Sequence, residues 1–76
     1  MSNLFTKVIH DRQFNFQPLE FGQKAGYHVD VKDEENTRWE FRIFQAHDKW
    51  KIEGEKLPSW ILDNESELGK AIDEHE

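Results

Sequence analysis

The stretch that most constrains this chain is Thr37-Arg38-Trp39-Glu40-Phe41-Arg42-Ile43-Phe44-Gln45. Large apolar and charged residues alternate along it with a period of two. Trp39, Phe41 and Ile43 fall on one side, Arg38, Glu40 and Arg42 on the other. Successive side chains of a strand point to opposite faces, so the pattern predicts a β-strand with one buried and one solvated face. Aromatic and β-branched residues also suit a pleated surface. A sheet with one apolar face needs a second layer to cover it.

The flanking segments supply more strands. Tyr27-His28-Val29-Asp30-Val31-Lys32 alternates again, with Tyr27, Val29 and Val31 inward, and Asp33-Glu34-Glu35-Asn36 is the turn into the central strand. In this hairpin the indices of opposed residues must sum to an even number for the inward sets to match. A sum of 70 opposes Asp30 to Glu40. A sum of 68 opposes Asp30 to Arg38 and His28 to Glu40, and is expected, since cross-strand charge pairs of about 0.2–1 kcal/mol decide between near-equal registers.

Phe14-Asn15-Phe16-Gln17 is a further alternating segment. Residues 4–9 fit either one face of a helix (Leu4, Phe5, Val8, Ile9) or, by propensity, a strand. Strand, polar connection (His10 to Gln13), strand is the simpler reading. The apolar parity changes across Pro18, from Phe14 and Phe16 to Leu19 and Phe21, and a bulge there accounts for it. Gly22 to Gly26 is a turn by composition.

After a third turn, Gln45 to Lys49, Trp50 and Ile52 are even-numbered where Trp39, Phe41 and Ile43 are odd. A bulge that folds both inward is expected, because burying each is worth about 1.5–3 kcal/mol. The alternative leaves them outward beside Phe44 and Arg42 as a partner surface.

The end of the chain reads as helical. Leu57 to Leu62 makes a short turn of helix with Pro58 near its first position. Asn64 and Glu67 match an N-cap with a capping box. The helix that follows buries Leu68, Ala71 and Ile72, with His75 at the end of the stripe. Gly69 costs up to about 1 kcal/mol in a helix and permits close approach to the sheet. Asp73 and Glu74 lie at the unfavourable end of the helix dipole. The expected fold is α+β: one domain spanning residues 1–76, an antiparallel β-meander of about five strands over 1–54, and a C-terminal helical segment over 57–75 packed on one face.

With 76 residues and no cysteine, disulfides and thiolate metal sites are excluded, and all stability comes from one core. No apolar run approaches the roughly 20 residues that span a membrane, and the first residues lack the pattern of a signal peptide, so a cytoplasmic location is expected. The net charge of −6 is unevenly placed. Residues 1–56 carry nine Lys/Arg against ten Asp/Glu, whereas residues 57–76 carry one Lys against six acids. An acidic chain is a poor candidate for non-specific binding to phosphate backbones.

No pair among His10, His28, His47 and His75 has the spacing of a ligand motif. His28 and Asp30 share a strand face, but structural zinc needs four placed ligands, and solvated or cross-strand-paired side chains are expected. No catalytic residue, cofactor or metal is expected: the acids fall at outward, turn or helix-surface positions, and there is no phosphate loop or nucleophile context. Small sheets bind single-stranded nucleic acid by stacking bases on aromatics beside cations. Lys32, Arg38, Arg42 and Lys51 with Phe44 and Trp50 could supply that, against Asp30, Glu40 and Glu53.

The string Trp50-Lys51-Ile52-Glu53-Gly54, Leu57-Pro58-Ser59-Trp60-Ile61 and Leu68 to His75 resembles the tail of small bacterial proteins of uncharacterised function. The resemblance covers about the last third of the chain and implies no known activity. The order of strands then helix is also loosely similar to the single-strand-binding domains of the transcriptional-coactivator and purine-rich-element-binding families, from whose basic sheet faces Asp30, Glu40 and Glu53 depart.

The expected function is therefore that of a small non-catalytic interaction module with a protein partner. Single-stranded nucleic-acid binding through the outer sheet face is the alternative. The candidate interaction surface is Arg38, Arg42, Phe44 and Trp50.

Overall fold

A computed structural model describes residues 4–21 and 24–75, the side chains of residues 20, 21, 24 and 25 excepted. The alternating segments and residues 5–9 form five strands: β1 (Phe5–Ile9), β2 (Arg12–Phe21), β3 (Lys24–Lys32), β4 (Arg38–Ala46) and β5 (Lys49–Glu53). They pair antiparallel in chain order within one open sheet. Two helices follow, α1 (Ser59–Leu62) and α2 (Glu65–His75). The fold is the expected α+β meander with helices on one face. Among the described residues no helix is long and apolar enough to cross a membrane.

Residues 5–9 are strand, and their connection to β2 is only His10-Asp11, both left-handed at φ 50° and 64°. A loop of two residues joins positions of opposite parity, so Phe5 faces Phe16 and Ile9 faces Arg12. The left-handed pair matches the right-handed twist of the strands it joins.

The pairing of β2 with β3 corrects the bulge expected at Pro18. β2 stays in one register with β3 from Phe14–Val31 to Phe21–Lys24, straight through Pro18–Tyr27. Pro18 lies beyond the described pairing with β1, which ends at Phe16, and a proline is tolerated where a strand has one partner. Leu19 therefore points to the outer face, opposite Gly26. The connection itself, residues 22 and 23, lies outside the described residues.

Trp50 and Ile52 do turn inward, but without a bulge. His47-Asp48 is another two-residue loop, His47 left-handed at φ 59°, and it sets Ile43 opposite Ile52 and Gln45 opposite Trp50.

The β3–β4 register is the second correction. Its sum is 70, with Asp30 opposite Glu40 and Val31 opposite Trp39. The turn decides it. The Asp33 N–H donates to the Thr37 carbonyl (3.0 Å) and the Asp33 carbonyl accepts from Asn36 (3.0 Å). Asn36 is left-handed at φ 66°. This is a three-residue loop, a β-turn closed by a left-handed residue. The Asp33 carboxylate holds it shut, accepting the N–H groups of Glu35 and Thr37 (2.9 Å each) and the Trp39 indole N–H (3.1 Å). Several local hydrogen bonds at about 1 kcal/mol each outweigh one unfavourable cross-strand pair.

The core lies between the inner sheet face and the helices. Phe14, Phe16, Val29, Val31 and Ile43 of the sheet meet Ile61, Leu68 and Ile72, all fully buried. Gly69 lies against Trp50: a β-carbon there would stand 3.0 Å from Cβ and Cδ1 of the indole side chain. The Trp50 indole donates to Asp73 (3.0 Å), so the acid at the unfavourable end of α2 serves as an acceptor for the core. Asn64 stands at the N-cap, its carbonyl accepting from Leu68 (2.9 Å), while its side-chain amide donates to the Trp60 carbonyl (2.7 Å) and ties α1 to α2. Phe5 stacks between Phe16 and His75, with ring centroids 4.4 and 4.0 Å away.

Candidate functional site

The face of the sheet away from the helices is open, and the register lays its side chains out in rows. One row runs Thr6, Asn15, Asp30, Glu40. The next in one direction is Gln17, His28, Arg42, Glu53. Beyond it lies Leu19, Gly26, Phe44, Lys51.

The first row is a closed polar network. Thr6 donates to Asn15 Oδ1 (3.0 Å), Asn15 donates to Asp30 Oδ1 (2.7 Å), and Arg38 donates to Asp30 Oδ2 (3.0 Å). Arg38 also lies 3.9 Å from Glu40, and His28 Nε2 is 3.2 Å from the same carboxylate. The opposition of Asp30 to Glu40 is thus relieved by diagonal neighbours, which long side chains reach across a sheet. His28 and Asp30, the two groups on one strand face that could chelate, point into separate pairs.

The last row has a different character. A β-carbon at Gly26 would sit 2.5 Å from Phe44 Cδ1 and 2.7 Å from Cε1, so the phenyl ring occupies the space that glycine leaves. An aromatic covering a strand glycine restores apolar burial that the missing side chain gives up. Leu19 and Phe44 are both half-buried there, with Lys51 and Arg42 at the margin. Among the described residues, neither Arg42 nor Lys51 lies within an ion pair.

Of the four residues expected to form the interaction surface, the structure brings Arg38, Arg42 and Phe44 together on the outer side of β4. It removes Trp50, which is 5% exposed on the opposite face. Arg38 is committed to Asp30 and Glu40, whereas Arg42 and Lys51 stand beside the half-buried Phe44. Leu19 is the neighbour that sequence reasoning missed. Its signal was the parity change after Phe16, read as a bulge rather than as a change of face.

Charge is divided between the two layers. The described outer sheet positions hold Lys32, Arg38, Arg42, Lys49 and Lys51 against Asp30, Glu40 and Glu53. The helical segment carries Asp63, Glu65, Glu67, Asp73 and Glu74 against Lys70, with Lys7 of β1 beside Glu74. An acidic chain thus has one cationic face.

A second concavity, of ≈ 710 Å³, opens at the end of the sheet between the β1–β2 and β3–β4 turns and the α1–α2 junction, with Trp60 and Asp63 on one wall. Three of its charged groups are spent internally. Arg12 pairs with Glu34 (2.9 Å). Asp33 is held below the ordinary carboxylate range, first by the Trp39 indole N–H and then by the Thr37 N–H; burial opposes this, while the Glu35 N–H and the Arg12 guanidinium add to it. A carboxylate so held is a poor proton acceptor at neutral pH. Comparison with protein-family models, curated proteins and solved structures found no match.

Proposed function

We propose that the chain is a non-catalytic protein-interaction module that docks an acidic segment of a partner on the open sheet face, at Arg42, Phe44 and Lys51. The observation that carries this reading is the separation of charge. The sheet face keeps two cations outside any ion pair beside a half-buried aromatic, while two of the three described carboxylates of that face, Asp30 and Glu40, are held in a network of their own and Glu53 alone stands opposite Arg42. Complementary potentials steer encounter and fix orientation. Apolar area beside the cations supplies the part of affinity that survives salt. A cytoplasmic site of action fits a chain without cysteine.

One observation favours a second reading, single-stranded nucleic acid. An aromatic flanked by two cations is also a stacking platform for a base. The acid at Glu53, opposite Arg42, and the chain's charge of −6 weigh against it.

Fluorescence anisotropy of a labelled Glu/Asp-rich peptide bearing one phenylalanine tests the first reading, with labelled oligothymidylate as the second arm. Binding of the peptide that weakens severalfold from about 50 to 200 mM salt is expected. Arg42→Glu with Lys51→Glu should weaken it by roughly tenfold or more, while Lys70→Glu on the helical side leaves it unchanged. No binding of the peptide, or equal loss with Lys70→Glu, overturns this reading; tighter, Arg42-dependent binding of the oligonucleotide replaces it with the second.

A further inference from the structure

The two edges of the sheet are not alike. An edge strand presents unpaired N–H and C=O groups that template another strand, and proteins usually guard it. β5 is guarded. Glu65 Oε2 accepts the Ile52 N–H (2.9 Å), and Lys49, Lys51 and Glu53 stand on its outer side. Among the described residues no side chain is seated on an N–H of β1, and its one charge, Lys7, lies on the inner side beside Glu74. β1 reads Phe-Thr-Lys-Val-Ile, a strand-forming sequence, and its outward Val8 is 64% exposed. Leu4, on the same face one residue before β1, is 62% exposed. Of the large hydrophobic residues exposed in the described chain, only Leu62 lies elsewhere.

We infer that β1 pairs antiparallel with β1 of a second copy, in the register centred on Thr6, joining two five-stranded sheets edge to edge. The register follows from self-complementarity. Centred on Thr6, Leu4 of each copy lies opposite Val8 of the other, Thr6 opposite Thr6, and Phe5 opposite Lys7. The two exposed apolar side chains cover each other twice, and threonine meets threonine, both favourable cross-strand pairs. Centring on Lys7 would oppose two ammonium groups. Centring on Val8 would run Thr6 against His10, past the end of the strand. A register centred between residues would turn one sheet over and set its helix-covered face beside the open face of the other. The Thr6 register leaves Lys7 on the inner side, where Glu74 lies 3.9 Å from it.

The contact is a two-fold, isologous one that closes on itself at a dimer, because β5 offers no second edge. One short strand buries less than a permanent dimer does, so association is reversible and rises with concentration. It leaves the outer face of β4 and β5 open, and it stands or falls separately from the docking role proposed for that face.

The test is sedimentation velocity of the unaltered chain over a concentration series, with cysteine substitutions reporting position. The chain has no cysteine of its own. Dimer that grows with concentration and is lost in Val8→Glu is expected. In oxidised glutathione, Thr6→Cys should link into dimer roughly tenfold faster than Val8→Cys, because opposed residues have Cβ atoms about 4.5–5.5 Å apart whereas the two Val8 positions stand ~13 Å apart along the strands. A monomer at every concentration, dimerisation unchanged in Val8→Glu, or Val8→Cys linking as fast as Thr6→Cys each overturns the inference.

Discussion

At Gly69 the needs of helix and sheet conflict, and the sheet wins. A glycine within a helix costs about 1 kcal/mol relative to alanine. Here an added β-carbon would press on Cβ, Cδ1 and Cγ of Trp50 at 3.0–3.2 Å, atoms that the buried indole and its bond to Asp73 hold in place. Overpacking of this kind costs about 1–3 kcal/mol, so Gly69→Ala should destabilise by about 1 kcal/mol net, where the exposed Ser66→Ala should not. Urea midpoints of the two variants check this; a stabilised Gly69→Ala would show that α2 has room to move.

Asp33 offers a pH test at the same scale. Its folded carboxyl lies below the ordinary value of 3.8, because the Trp39 indole and then the Thr37 N–H favour the charged form. A group whose folded pKa is depressed contributes stability above its unfolded pKa, and that contribution is lost as pH falls through the folded value. Asp33→Asn should therefore cost stability at neutral pH, with the gap to the unaltered chain closing as pH drops below 3.8. Denaturant midpoints measured at neutral pH and at about pH 2.5 show the sign. A gap that widens in acid would contradict it.

Among elements, the strands were legible and their joints were not. Period-two alternation marked four of the five strands, β1 being read from propensity alone, and the Asn64 signal and the Leu68, Ala71, Ile72 stripe marked α2; the periodic patterns follow directly from backbone geometry. The two expected bulges fail for different reasons. A two-residue loop flips parity, and the one at His47-Asp48 carries no glycine to announce a left-handed turn, so the inward Trp50 and Ile52 need no bulge. At Pro18 the change of parity is a change of face within one unbroken strand. The β3–β4 register was misjudged because paired charges on the strands were weighed and the three hydrogen bonds to the Asp33 carboxylate were not. Of the site, Arg38, Arg42 and Phe44 could be read from β4 alone, whereas Leu19 depended on the unbroken run of β2 through Pro18 and the exclusion of Trp50 on the His47-Asp48 loop.

The β5 edge yields a prediction of its own. Glu65 supplies the acceptor that a sixth strand would supply to Ile52. Glu65→Ala removes it from a partly buried N–H and should cost about 1–3 kcal/mol, while Glu65→Gln keeps an acceptor and should cost less. Amide hydrogen exchange at Ile52 reads the effect directly: faster in Glu65→Ala, near normal in Glu65→Gln. Equal exchange in all three would mean the contact does not protect the edge.

As a whole, the molecule is two layers of opposite character. The described acids of residues 57–75 gather on the helical side, and the described positions of the open sheet face are left cationic in a chain of charge −6. That separation, with Trp50 withdrawn into the core, reduces the candidate surface to the β4–β5 end around Phe44. The ion pairs of the outer face are mostly exposed, and such pairs contribute little to stability. Charge reversal at Arg42 and Lys51 should therefore alter binding with little change in the denaturation midpoint, and a binding loss accompanied by unfolding would be uninformative about the surface.

Titration of the ¹⁵N-labelled chain with the acidic peptide, followed amide by amide, tests the central claim most directly. The account predicts saturable shifts confined to the neighbours of Leu19, Gly26, Arg42, Phe44 and Lys51, absent when Arg42 and Lys51 are both changed to Glu. Shifts that fall on α2 and spare β4, or none at all, would contradict it.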